Sequence, residues 1–146
     1  MVGSVIPMNI KVYLSQAYRI DQRINSKLEQ VQSLRELASK ATATLSDDRI
    51  KETRNFQRME DIICKIIDLE SEINTDIDKL VDLKCEIVKL IKSIPNPEHQ
   101  TILELRYLCF KTWEQIAVDM NYSIHHLYKM HNGALNLCNK LLKHDT

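Results

Sequence analysis

Glycine and proline are scarce in this chain, with 2 Gly and 3 Pro among 146 residues. So few turn formers exclude an all-β fold and the glycine-rich loops that cradle phosphates. Aromatic residues make up only 5%. No apolar run approaches the 18 or so residues that a membrane helix requires, so no membrane partner is expected. The stretch from Met1 to Pro7 has no basic flank, and its apolar run is too short for a signal peptide. Cys64, Cys85, Cys109 and Cys138 form no CxxC pair. They read as small buried thiols in a reducing compartment, not as disulfides or a zinc site. Neither sign of charge dominates, with 20 Lys+Arg against 20 Asp+Glu. A cytoplasmic protein is expected, needing no cofactor and no metal.

What is present is a helical pattern: 44% hydrophobic and 27% charged residues, enough for a core. Over residues 13–42, Ala17, Ile20, Ile24, Leu28, Val31, Leu34, Ala38 and Ala41 recur at helical steps. Arg19, Asp21, Arg23, Lys27, Glu29 and Arg35 fall between them as a solvated face. Residues 42–55, with Thr44, Ser46, Asp47 and Asp48, read as a loop and a helix restart. Met59, Ile62, Ile66, Leu69, Ile73, Ile77, Leu80, Ile87 and Ile91 then keep near-heptad spacing, broken once, at Lys84. Such spacing makes a narrow seam for another helix. The fold class is therefore all-α, beginning with a long antiparallel, coiled-coil-like hairpin over residues 8–94. One hairpin buries little, so it should recruit either the C-terminal module or a second chain, and a homodimer is expected.

The segment Ser93-Ile94-Pro95-Asn96-Pro97-Glu98 marks the boundary to a second module over residues 96–146. A residue before proline leaves the helical region, while Asn96 can cap a new helix with Pro97 at its first position. Ile102, Leu103, Leu105, Tyr107 and Leu108 suit a short buried helix. Thr112 and Gln115 fit a capping box. Asn121 tolerates a left-handed backbone, Tyr122 can plug the angle between helices, and Ser123 can cap the last helix. That helix should bury Leu127, Met130, Ala134, Leu137 or Cys138, and Leu141. A short helix, a tight turn and a longer capped helix describe a small helix-turn-helix, although the same caps also serve a plain helical corner in a bundle.

The strings Leu103-Glu104-Leu105-Arg106-Tyr107, Thr112-Trp113-Glu114-Gln115-Ile116-Ala117, Asn121-Tyr122-Ser123 and Ala134-Leu135 resemble region 4 of bacterial sigma factors. They are more similar still to the sigma-like, ArpU-like late-gene regulators of phages and prophages of Gram-positive bacteria. Leu45-Ser46-Asp47-Asp48-Arg49 and Ile67-Asp68-Leu69-Glu70-Ser71-Glu72-Ile73-Asn74 are similar to stretches of the same group, so the resemblance runs from about Met8. It implies a transcriptional regulator whose partners are double-stranded DNA and, through the region 4 likeness, host RNA polymerase. It further implies a recognition helix over residues 123–137. Ser123, Ile124, His125, His126, Tyr128, Lys129 and Asn132 would then face a major groove, with Lys111 and Thr112 at the phosphate backbone. Asn132 suits adenine, and Lys129 suits guanine or phosphate.

The chain departs from that pattern in one respect. No arginine lies between Ser123 and Thr146, and where relatives resemble His-Gly-Arg-Ala-Leu it reads His131-Asn132-Gly133-Ala134-Leu135. A glycine inside a helix costs about 1 kcal/mol against alanine, so a loose turn is expected there. From Thr101 onward, Arg106, Lys111, Lys129, Lys140 and Lys143 face Glu104, Glu114, Asp119 and Asp145, so counterion release is small. Zero net charge and the missing arginines favour a rival reading, a phage-encoded protein-binding inhibitor on the same scaffold. A purely structural coiled coil leaves the pattern from Thr112 to Ser123 unexplained. His125, His126, His131 and His144 offer no i, i+4 pair and read as polar helix-surface residues, not metal ligands. No nucleophile constellation has a loop to present it, so no enzyme is expected.

Overall fold

A computed structural model describes residues 9–43 and 49–144. Its helices are α1 (Ile10–Ala43), α2 (Arg49–Lys92), α3 (Pro97–Leu103), α4 (Trp113–Met120) and α5 (Ile124–His144). Among the described residues there is no strand, and the fold is all-α with a long helix pair packed together. The break expected over residues 42–55 is shorter, since α1 reaches Ala43 and α2 starts at Arg49. Met8 and residues 44–48, including the string from Leu45 to Asp48, lie outside the described residues. The chain divides into two units, one of residues 20–79 and one joining both ends of the chain.

In the unit Ile20–Lys79, α1 and α2 run antiparallel. Arg35 Nη2 meets Glu70 Oε1 at 3.4 Å, and the Thr42 hydroxyl meets the Met59 sulfur at 3.8 Å. Ile24, Val31 and Ile73 are buried between them. The seam corrects the sequence reading at one layer: Leu28 is 49% and Ile77 41% exposed, and Lys27 and Asp76 turn inward instead. Steps of three and four are interchangeable at both positions, and the helices choose the charged pair. Lys27 Nζ donates to Asp76 Oδ2 at 2.8 Å, while Arg23 reaches both carboxylate oxygens at 3.3 Å. The Lys27 hydrogen bond is the main reason the Asp76 carboxyl sits below its usual range, with Arg23 adding to it against the opposing effect of burial.

Replacing Asp76 by Ala strands the mostly buried Lys27 ammonium, so a loss of about 2 kcal/mol is expected in urea unfolding at neutral pH. The double replacement Lys27→Leu/Asp76→Leu should recover that stability, because a buried pair scarcely outperforms apolar packing. With its native carboxyl depressed, Asp76 contributes fully above the ordinary carboxylate range and loses that contribution as pH falls through and below it.

The other unit holds residues 10–19 of α1, residues 80–92 of α2 and everything after them. Ile10, Leu14 and Ala17 of α1 and Ile87 and Ile91 of α2 share one buried cluster with Ile102, Leu103, Ile116, Leu127, Ala134 and Cys138. Here the helix pair has recruited the C-terminal helices as its additional seam. In the link, Asn96 Oδ1 accepts from the Glu98 amide at 2.9 Å and Pro97 opens α3, while Ile94 lies fully inside the same cluster. Only Cys138 is buried. Cys64, Cys85 and Cys109 are exposed, contrary to the expectation of four buried thiols, because Cys64 and Cys85 lie off the buried side of α2 and Cys109 sits in a bend outside any helix.

After α3 the chain winds into a π-helical turn, Glu104–Leu108, closed by the Cys109 amide donating to the Glu104 carbonyl at 3.0 Å. Phe110 comes next with φ 58°, a left-handed geometry that costs a side-chain-bearing residue roughly 1–2 kcal/mol. Lys84 holds this corner. Its ammonium lies 4.7 Å over the Phe110 ring and donates to the Leu108 carbonyl at 3.2 Å. Tyr18 meets the same ring edge-on at 5.6 Å. The one break in the heptad thus has a structural use.

Candidate functional site

α4 begins at a complete capping box: Thr112 Oγ1 accepts from the Gln115 amide at 3.2 Å, and Gln115 Oε1 accepts from the Thr112 amide at 2.9 Å. It ends at Asn121, left-handed at φ 58° and ψ 46°. Tyr122 donates its hydroxyl to Glu98 Oε1 at 2.9 Å, pinning the turn to α3. Ser123 Oγ accepts from the His126 amide at 3.1 Å and so caps α5. Leu127, Met130, Ala134, Leu135 and Cys138 give α5 its buried face, which fixes which side chains point outward.

At about 100° per residue, His125, Tyr128, Lys129 and Asn132 share one outward arc of α5, and all four are exposed. Tyr128 is steadied by Trp113, whose ring meets it edge-on at 5.3 Å, so the start of α4 borders this arc. Arg106 lies 4.7 Å over the other partner in that stack, Trp113, and donates to the Lys111 carbonyl at 3.0 Å. Ile124 and His126 sit on the flanks of the arc, with His126 against the Tyr122 ring at 4.6 Å. Thr112 and Ser123 are exposed but have their hydroxyls committed to caps. Lys111 is held by Asp119 at 2.5 Å, and that hydrogen bond raises its pKa, keeping it charged.

His131 departs from the surface position expected of it. It is 4% exposed and shares a 2.6 Å hydrogen bond with the Tyr107 hydroxyl through Nε2. Trp113 meets its ring edge-on at 4.7 Å. Burial foremost, then the charges of Lys11 and Arg106, lowers its pKa to about 4. It is a neutral core residue and no part of an exposed site. Burial also pushes the Tyr107 phenol up to about 12, so its proton stays available to the ring nitrogen.

Three further side chains belong to the arc and escape the sequence reading. Asn136, Asn139 and Lys140 are exposed and continue it beyond Asn132. The spacing of residues 129, 132, 136 and 140 carries the signal, but a recognition helix ending at Leu137 cuts it short. The whole of α5 contains no Asp or Glu.

The family described as "Protein of unknown function (DUF1492)" matches residues 40–139. The chain belongs to this family. No curated protein and no solved structure matches the chain. The DUF1492 match takes in α2, α3, α4 and the arc of α5 through Asn139, and it leaves most of α1 outside.

Gly133 lies within that match, in the middle of α5. A Cβ built on it meets the His99 ring at 3.6 and 3.7 Å, ordinary contact distances. Gly133→Ala should therefore gain about 0.5–1 kcal/mol of stability, read as a higher melting temperature by circular dichroism. A lower melting temperature would mean that this turn depends on the missing side chain.

Proposed function

We propose that this chain is a sigma-like transcriptional regulator of the phage type, binding double-stranded promoter or operator DNA through a helix-turn-helix of α4, residues 121–123 and α5. The observation that carries the reading is the outward arc of α5: a run of lysine, asparagine, histidine and tyrosine on a helix without a single acid. A polyanion meets no repulsion along it, and its amides and ammonium groups can contact both phosphates and base edges. The caps at Thr112 and Ser123 and the left-handed Asn121 give the tight turn that such a module needs. Region 4 likeness adds RNA polymerase as the protein partner.

A pull-down of genomic fragments by the purified protein, at low and then moderate salt and with or without RNA polymerase, tests this. Recovery of one discrete site is the expected result; no enrichment under any condition refutes it. A homodimer belongs to the same proposal, supported by Phe56, Ile63 and Ile67, which stand exposed at one- and two-turn spacing along α2. Light scattering should give twice the chain mass, and the footprint should then be a palindrome or direct repeat.

One observation favours a protein-binding inhibitor instead. Val118 on α4 is 81% exposed, with Glu114 and Asp119 beside it, a surface that suits a protein better than DNA.

A further inference from the structure

The outward arc of α5 carries a chemical bias beyond its charge. Asn132, Asn136 and Asn139 lie within about a third of the helix circumference, centred between Lys129 and Tyr128 at its edges. All three are exposed, and among the described residues no hydrogen bond or ion pair engages their amides. We propose that this face reads adenine, so that the preferred ligand is an A·T-rich duplex entered through its major groove. The inference rests on the DNA-binding reading above and adds the class of sequence that the site selects.

An asparagine amide donates and accepts side by side, which matches the N7 acceptor and N6 donor of adenine. Of the side chains that read the other pair best, α5 has lysine alone. α5 has no arginine, whose planar fork fits guanine, and no carboxylate to accept from the cytosine amine. Its lysines can reach guanine, but as point charges without that fork they suit phosphates better. Ile124 and Tyr128 are partly exposed on the flank and offer apolar surface to thymine methyl groups. Asn132 and Asn136 are four residues apart, about 6 Å along the helix, against about 3.4 Å per base step. The two adenines should thus lie about two steps apart. A-form RNA is excluded as the ligand, because its major groove is too narrow for a helix.

The test uses the full chain and two duplexes of equal length, one A·T-rich and one G·C-rich, in fluorescence anisotropy at low salt. A third duplex is A·T-rich with 7-deazaadenine, which removes only the major-groove N7 acceptor. The expected result is at least tenfold tighter binding to the A·T duplex, lost with 7-deazaadenine and lost in Asn132→Ala/Asn136→Ala. That variant should bind the two natural duplexes equally and keep its melting temperature, since both residues are exposed. Equal affinity for the two natural duplexes, or a G·C preference, overturns the inference and leaves DNA binding standing. An A·T preference that survives 7-deazaadenine overturns it, because the minor groove would then be the feature read. One that survives the double variant overturns it, because other side chains would then do the reading. Binding to none of the duplexes overturns both readings together.

Discussion

Acidifying the protein from pH 7 to pH 4 should remove on the order of 3 kcal/mol of stability, with the loss beginning near pH 6.5. The source is His131, enclosed by Tyr107 and Trp113 and held to a pKa of about 4 in the folded chain. An unfolded chain lets the same imidazole take a proton near its ordinary pKa of about 6.5. Between those two values the unfolded state binds the proton and the folded state does not, so stability falls as the pH falls. Above pH 6.5 neither state binds it and the effect vanishes. Urea unfolding followed by circular dichroism at stepped pH measures the slope directly. His131→Gln keeps a hydrogen-bonding side chain for Tyr107 but does not titrate, so its stability should be level across that window. The separate loss from Asp76 begins only at lower pH, within and below the ordinary carboxylate range. A wild-type curve that is flat from pH 6.5 to 4 would show that His131 is not shut in this core.

Lys129→Ala/Asn132→Ala should weaken binding to the site recovered from genomic DNA by about 100-fold, the sum of one lost amide–base pair and one lost phosphate contact. Both side chains are exposed and make no packing contact in the core, so the melting temperature should barely move. Loss of one lysine should also make the slope of log affinity against log salt shallower by about 0.9. Unchanged affinity in this variant would move the binding surface off α5, and the Val118 face of α4 would become the one to mutate next.

Much of this architecture is legible in the chain because it rests on local chemistry. Asn96 with Pro97, Thr112 with Gln115, Asn121 and Ser123 each act within a few residues of themselves, and each stands in the role its type suggests. What escapes is set by distant neighbours. Leu28 and Ile77 look as apolar as any seam residue, yet they lose the inward position to Lys27 and Asp76, whose partnership only the pairing of α1 with α2 reveals. His131 is polar by type and reads as surface, but the Tyr107 hydroxyl that permits its burial comes from another helix turn. The left-handed Phe110 has no local signal at all, since Lys84 and Tyr18, which hold it, lie far away in sequence. The arc of α5 is half visible: its charges draw attention and its further asparagines do not.

The shared cluster of Ile10, Leu14 and Ala17 with Leu127, Ala134 and Cys138 also dictates an order of events during synthesis. Ile10, Leu14 and Ala17 leave the ribosome more than about a hundred residues ahead of these partners. At about 5–20 residues per second, the apolar face at the start of α1 stays bare for on the order of ten seconds. The unit Ile20–Lys79 is continuous in sequence and can close in that interval. The ends of the chain close afterwards, and a nascent chain stalled before α5 offers chaperones and proteases an unsealed core.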